Sequence, residues 1–239
     1  MDSLKGVILG LSGGVDSATA AYLLKQQGYN VTGAFLIMHD YALNALSDAQ
    51  KVADALKIPF ISYDLRERFK SEIIEGFVDA YKNGTTPNPC VICNNKVKYD
   101  ALIKLANNNN CEFIATGHYA GTGTENGRYF IKKSPCGKDQ SYMLYRLSQE
   151  QLSRVIFPLY GMEKDKIRSI AEEAGISVAK KKDSQEICFI QDESYKSFIE
   201  RYLNKPLPKG DFILDTLEKV GTHSGIINYT VGQRKGLGI

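Results

Sequence analysis

Short apolar runs alternate with helix-length stretches through the first half of this 239-residue chain. The runs at 6–11, 31–37, 59–63 and 112–116 read as strands. Between them the spacing predicts helices from the Gly13-Gly14 pair toward Gly28, over 48–56, over 69–81, and one ending at 102–106. Ile73, Phe77 and Tyr81 recur at a four-residue step in the third. Strands joined by helices need right-handed crossovers, which build a parallel sheet with helices on both faces. The fold class is therefore α/β, a parallel doubly wound sheet. After Gly117-His118 the pattern changes. Residues 119–133 read as a hairpin around Glu125-Asn126-Gly127, turn chemistry suited to positive φ. Helical stretches near 141–147, 164–174 and 195–203 follow, then short strands from Pro206. We expect a boundary between 135 and 145, with one domain over 1–140 and a small mixed α+β domain over 141–239.

Thirty Lys and Arg stand against 27 Asp and Glu, too mild an excess for a general polyanion binder. The charge is uneven: residues 1–130 hold 12 basic and 13 acidic side chains, residues 131–239 hold 18 and 14. A nucleic-acid surface is expected in the second half. No apolar run approaches the ~18–20 residues of a membrane span. The start, Met1-Asp2-Ser3-Leu4-Lys5-Gly6, lacks a secretory layout, and five cysteines, an odd number, read as reduced thiols. These features point to a cytoplasmic chain with no membrane partner, expected to be a monomer.

The first chemical signal is Leu11-Ser12-Gly13-Gly14-Val15-Asp16-Ser17, between the first strand and the first helix. Adjacent glycines reach backbone angles closed to other residues, so successive N–H groups can converge on one anion. The helix starting there adds its own N–H groups and positive dipole end. Ser12 and Ser17 can donate hydroxyls, and Asp16 can hold a Mg²⁺ that bridges phosphates. No Gly-Lys pair opens the helix, so the loop is not a Walker A, nor is it G-x-G-x-x-G. The competing reading is a Gly-Gly turn that caps a helix.

Thr86-Pro87-Asn88-Pro89-Cys90-Val91-Ile92-Cys93-Asn94 is the second signal. Its prolines predict a stiff extended loop that presents Cys90 and Cys93 rigidly. Cys-x-x-Cys spacing serves redox exchange, zinc or an iron–sulfur cluster, and with histidines scattered at 39, 118 and 223 zinc lacks a second ligand pair. The third signal is Cys188, in an apolar strand-like run after Lys180-Lys181-Lys182, where positive charge favours the thiolate. The alternative there is a buried cysteine beside a solvated lysine run. Cys111 and Cys136 read as structural.

The Ser-Gly-Gly-x-Asp-Ser loop alone resembles the pyrophosphate (PP) loop of the N-type ATP pyrophosphatases. Further segments follow in order: Ala115-Thr116-Gly117-His118-Tyr119, Lys138-Asp139-Gln140-Ser141-Tyr142, Asp183-Ser184-Gln185-Glu186-Ile187-Cys188-Phe189-Ile190 and Tyr229-Thr230-Val231-Gly232-Gln233-Arg234-Lys235-Gly236-Leu237-Gly238. Together they resemble the bacterial tRNA-specific 2-thiouridylases over essentially the whole chain. The resemblance implies a sheet of the adenine nucleotide α-hydrolase (PP-loop ATPase) type. Residues 1–140 would be the ATP-binding catalytic domain, and 141–239 a central tRNA-binding domain carrying the second catalytic cysteine. It implies adenylation of the C2 oxygen of the wobble uridine, with ATP and Mg as cofactors and the tRNA anticodon stem-loop as partner. Gly10, Leu11, Ser12, Gly13, Gly14, Val15, Asp16, Ser17, Leu36 and Gly117 match the ATP contacts. Asn88, Pro89, Cys90, His118, Lys138, Asp139 and Gln140 match the tRNA contacts, and Cys93 and Cys188 the catalytic pair. In the family's scheme Cys188 takes a persulfide from a relay protein, delivers the sulfur, and ends in a disulfide with Cys93. Members carry a further C-terminal β-barrel, so the ending Gly236-Leu237-Gly238-Ile239 reads as a chain cut before it.

Two departures stand out. Cys90 occupies a position where many members have an Asp assigned acid–base work, and a thiol with a resting pKa of about 8.5 is a different acid. Three thiols, Cys90, Cys93 and Cys188, would also suit a 4Fe–4S cluster able to deliver sulfide. The link from His39 to Ser47 is shorter than in many members, which bears on the sulfur-relay contact. A different PP-loop ATPase, or a tRNA-binding protein without turnover, are the competing functions.

Overall fold

A computed structural model describes residues 4–179, 181, 187–191 and 193–239. The chain divides into two compact units, Met1–Lys70 with Cys90–Asp183, and Ser71–Pro89 with Ser184–Ile239.

The first unit is built on strands β1 (Gly6–Gly10), β2 (Asn30–Ile37), β3 (Phe60–Asp64) and β4 (Phe113–Ala115). Helices α1 (Val15–Gln26) and α2 (Leu46–Leu56) connect the first three. α3 (Arg66–Phe69) leads through a π-helical turn, Lys70–Ile74, into α4 (Glu75–Lys82), so the helix expected over 69–81 is present but locally widened. α5 (Pro89–Ile92) runs through a second π-helical turn, Cys93–Lys98, into α6 (Tyr99–Asn108). A hairpin, β5 (Ala120–Glu125) and β6 (Arg128–Lys133), turns on Asn126 at φ 48° and Gly127 at φ 75°. Both angles suit the mirror-image turn its sequence predicts. α7 (Gln149–Arg154), β7 (Val155–Ile156) and α8 (Lys164–Glu173) follow.

Across the sheet the order is β3-β2-β1-β4-β7, with every neighbouring pair parallel. Side chains of β1 alternate between two cores, as the pleat requires. Val7 and Leu9 join α1, α2 and α8 on one face, and Ile8 joins α6 on the other. This is the doubly wound α/β sheet expected from the strand–helix alternation.

The compact units do not follow a cut at 140. The described residues of 141–179 stay with the sheet because β7 pairs with β4 and Ile167 and Ala171 of α8 enter the same core as α1. A two-residue strand has no local signature, which is why 141 onward reads as separate in sequence. Two local expectations also change. Residues 141–147 form only a 3₁₀ turn, Ser141–Met143, and the helix comes later at α7, opened by a Ser148/Gln151 capping box. The cysteine segment is not an extended loop: Pro89 sits at the first helical position, where its missing N–H costs nothing, and Cys90 and Cys93 ride on helix.

The second unit holds α4, α9 (Tyr195–Leu203) and an antiparallel pair, β8 (Gly210–Ile213) with β9 (Lys219–His223). Its core is aromatic. The Phe77 ring meets those of Phe189 and Phe198 edge-on, at 5.3 and 6.1 Å between centroids. Among the described residues no helix is long and apolar enough to cross a membrane.

Candidate active site

The order β3-β2-β1-β4-β7 reverses its direction of growth between β1 and β4, and ligands of such sheets bind at that point, beyond the strands' C-terminal ends. The loop after β1 and Gly117 after β4 flank it. Gly13 has φ +74°, and a Cβ there would lie 2.7 Å from the Ala45 carbonyl oxygen. The Ser17 hydroxyl donates to the Gly14 carbonyl and accepts the Ser12 N–H, both at 3.1 Å, tying the loop's ends together. Gly14, at the N-cap of α1, has no side chain to satisfy the first-turn N–H groups. The turn therefore leaves backbone N–H groups at the start of α1 able to face an anion. Gly117 closes the other side, where a Cβ would stand 2.8 Å from the Ser17 nitrogen. Leu36 lies near the end of β2, half-buried. Gly13→Ala is expected to lower stability by about 2 kcal/mol or more, combining left-handed strain with the clash at Ala45, as a urea-unfolding midpoint will show.

Asp16, in the first turn of α1, is not an open carboxylate. Its Oδ1 accepts the Tyr119 hydroxyl and the Lys164 ammonium, each at 2.7 Å. The Lys164 side chain is only 11 % exposed. A cation of the chain's own therefore already stands beside the phosphate loop. A second one is close: Lys181 donates to the Gly13 carbonyl at 3.3 Å and to Asp48 at 2.7 Å. That hydrogen bond, more than any other influence, holds the Asp48 carboxyl below its usual range.

The segments matched to tRNA contacts are partly occupied with structure. Gln140 pairs with the Tyr119 backbone in both directions, accepting its N–H at 3.0 Å and donating to its carbonyl at 2.9 Å. Asp139 accepts from the Ser134 and Ser141 backbone and the Ser141 hydroxyl, and these bonds outweigh burial in keeping it acidic. Lys138 is exposed beside them. His118 Nδ1 sits 2.7 Å from the Thr116 hydroxyl and 3.2 Å from that of Tyr99. Burial, then the nearby Lys98, push its imidazole well below the ordinary histidine range, so it is neutral at pH 7. Asn88 is exposed and Pro89 buried.

The thiols differ sharply. Cys93 is buried, with its sulfur 3.7 Å from that of Met38, whereas Cys188 is exposed. Cys188 lies in a turn rather than a strand, next to buried Phe189. Cys90 is half-buried one helical turn before Cys93. Burial raises the Cys93 thiol to about 11, against a smaller opposing pull from Lys98 and with a small addition from Cys90. Among the described residues no group of three His, Cys, Asp or Glu side chains is placed to hold a metal ion.

The thiol's shift has a sign. An unfolded thiol that ionises near 9.0 and a folded one near about 11 give stability that is fully present below pH 9 and lost as pH rises to 11. Unfolding midpoints followed to pH 11 are expected to fall more steeply for the parent than for Cys93→Ala, by about 2 kcal/mol. Iodoacetamide at neutral pH should label Cys188 well before Cys93.

Residues 5–192 match a family model described as a tRNA methyl transferase HUP domain, and residues 196–239 one described as a tRNA methyl transferase PRC-barrel domain. A tRNA-specific 2-thiouridylase MnmA from Clostridioides difficile is 45 % identical over 249 positions, covering 98 % of this chain and 69 % of that protein. One from Clostridium acetobutylicum is 46 % identical over 248 positions, covering 98 % and 70 %. The chain belongs to the tRNA-specific 2-thiouridylase family. An NMN synthetase structure from Francisella tularensis shares the thiouridylase chain's fold at a TM-score of 0.50 and 15 % identity, covering 86 % of this chain and 79 % of that one.

Within this thiouridylase-family chain, sequence reading missed Tyr119 and Lys164 as neighbours of the phosphate loop. Tyr119 lay inside a matched segment without a role. Lys164 sits in the charged run Glu163-Lys164-Asp165-Lys166, which looks like a solvated helix start, and is 148 residues from its partner Asp16.

Proposed function

We propose that this chain performs ATP-dependent 2-thiolation of the wobble uridine in tRNA of the Glu, Gln and Lys type. The single observation that carries the reading is the open anion cradle at Gly13-Gly14, with Lys164 beside it, in a chain of the thiouridylase family. Oxygen on C2 of uracil is a poor leaving group and must be activated. The N–H groups of the loop and of α1's first turn hold the ATP phosphates, and Lys164 offsets their charge. Mg²⁺ bound with the triphosphate would neutralise phosphate charge, and Asp16, exchanging a hydrogen bond from Tyr119 or Lys164 for the ion, would be the carboxylate to hold it. The C2 oxygen attacks the α-phosphorus, a new P–O bond forms, and pyrophosphate leaves.

Sulfur transfer follows. The terminal sulfur of a persulfide on exposed Cys188 attacks C2, the C2–O bond breaks, and AMP departs. The Cys93 thiolate then attacks Cys188 Sγ, so the persulfide S–S bond breaks and C2=S remains. The chain is left with a Cys93–Cys188 disulfide, which a dithiol reductant returns to two thiols. A relay protein bearing a persulfide supplies the next sulfur to Cys188. Burial keeps Cys93 in its thiol form and limits premature attack. Nucleoside mass spectrometry after incubating the chain with unmodified tRNA, Mg-ATP and a persulfide donor tests the reading. New 2-thiouridine with matching pyrophosphate release supports it; neither product overturns it.

A further inference from the structure

One face of the β5–β6 hairpin is made largely of rings and cations laid over glycine. The cross-strand pairs there are Gly121↔Lys132, Gly123↔Phe130 and Glu125↔Arg128. A Cβ on Gly121 would lie 2.5 Å from Cδ2 of Tyr160, so that ring lies against the bare glycine backbone. A Cβ on Gly123 would run into the Phe130 ring and the Lys132 side chain in the same way. The two glycines therefore have a packing reason: any side chain would lift the rings away. Tyr160 is 43 % exposed and Phe130 39 % exposed, and the Lys132 ammonium stands 5.8 Å from the Phe130 ring centre. Lys132 and Arg128 are solvent-exposed, and Glu125 at the hairpin tip is the carboxylate among these three cross-strand pairs. The opposite face is used by the fold, because Ile131 packs on the second core and Gln149 bonds the Tyr129 backbone in both directions.

We propose that this face, Tyr160, Lys132, Phe130 and Arg128 across Gly121 and Gly123, is an RNA-binding platform that engages the tRNA outside the reacting uridine. The assignment rests on the tRNA reading above. Alternating exposed rings and cations match what a polynucleotide offers, stacking faces of bases and a phosphate charge at each step. With no side chain on Gly121 or Gly123 to lift them, the Tyr160 and Phe130 rings lie down on the hairpin and still remain solvent-exposed. Purely phosphate-binding patches need no exposed rings, and purely apolar docking faces do not interleave them with cations.

The test uses the full chain and unmodified tRNA, with affinity measured by fluorescence anisotropy at several salt concentrations. Phe130→Ala is expected to weaken binding about tenfold through lost stacking. Lys132→Gln, on an exposed side chain whose loss leaves the fold intact, is expected to lower the slope of log affinity against log salt by about one. Lys104→Gln, an exposed charge on α6, serves as a matched control and is expected to change neither quantity. ATP affinity stays unchanged in all three. Phe130→Ala and Lys132→Gln both within twofold of the parent, or an equal loss in Lys104→Gln, overturn the platform while leaving the thiolation reading in place. A parent chain that binds no tRNA overturns both.

Discussion

Lys164→Met is expected to cut tRNA-dependent pyrophosphate release by at least about a hundredfold and to weaken ATP binding with it. The variant removes the ammonium bonded to Asp16 at 2.7 Å and leaves that carboxylate facing the anion cradle with the Tyr119 hydroxyl. Attraction for a polyphosphate turns into repulsion at a site only 11 % exposed on the lysine side, where screening by water is weak. Loss of one preorganised charge-stabilising donor typically costs 10²–10³ in rate, or about 3–4 kcal/mol. Lys164→Arg keeps the charge and should recover part of the activity, whereas a merely structural role would make both variants lose thermal stability with little change in catalysis per folded molecule. Release within about threefold of the parent for Lys164→Met would remove Lys164 from the proposed machinery.

Cys188→Ser is expected to separate the two halves of the reaction. Formation of 2-thiouridine should fall by at least about a thousandfold, because a hydroxyl cannot carry a persulfide sulfur. Pyrophosphate release on adding tRNA should stay within about threefold, since the cradle, Lys164 and Asp16 are untouched. Cys93→Ser should permit sulfur loading of Cys188 but block turnover, leaving no Cys93–Cys188 disulfide in a non-reducing peptide map. Equal loss of pyrophosphate release and of thiolation in Cys188→Ser would make Cys188 a structural residue and contradict the transfer route.

The shape of the Gly13-Gly14 turn could be read before folding because its chemistry is local. Gly13 needs positive φ, Gly14 leaves helix N–H groups open, and both facts follow from residue type and the strand–loop–helix order. The same holds for the hairpin, whose Asn126-Gly127 turn is written in two residues. The helix at Cys90 and Cys93 was less accessible, because a proline before a cysteine pair suits an extended loop and a helix start equally well until the rest of the chain packs around it. The capping box Ser148/Gln151, by contrast, was a visible signal for α7 that the weaker pattern at 141–147 masked.

What the amino-acid order determined by itself is the alternation of strands and helices, the anion cradle and the family's ordered segments. Each depends on periodicity, backbone freedom or short spacing, all of which act within a few residues. Only the tertiary structure decided that Lys164 and Tyr119 hold Asp16, that β7 completes the sheet, and that Tyr160 and Phe130 lie over Gly121 and Gly123. Those pairings join residues up to 148 positions apart. They arise because burying both faces of one parallel sheet forces distant helices and turns together, and no local pattern encodes which side chains then meet.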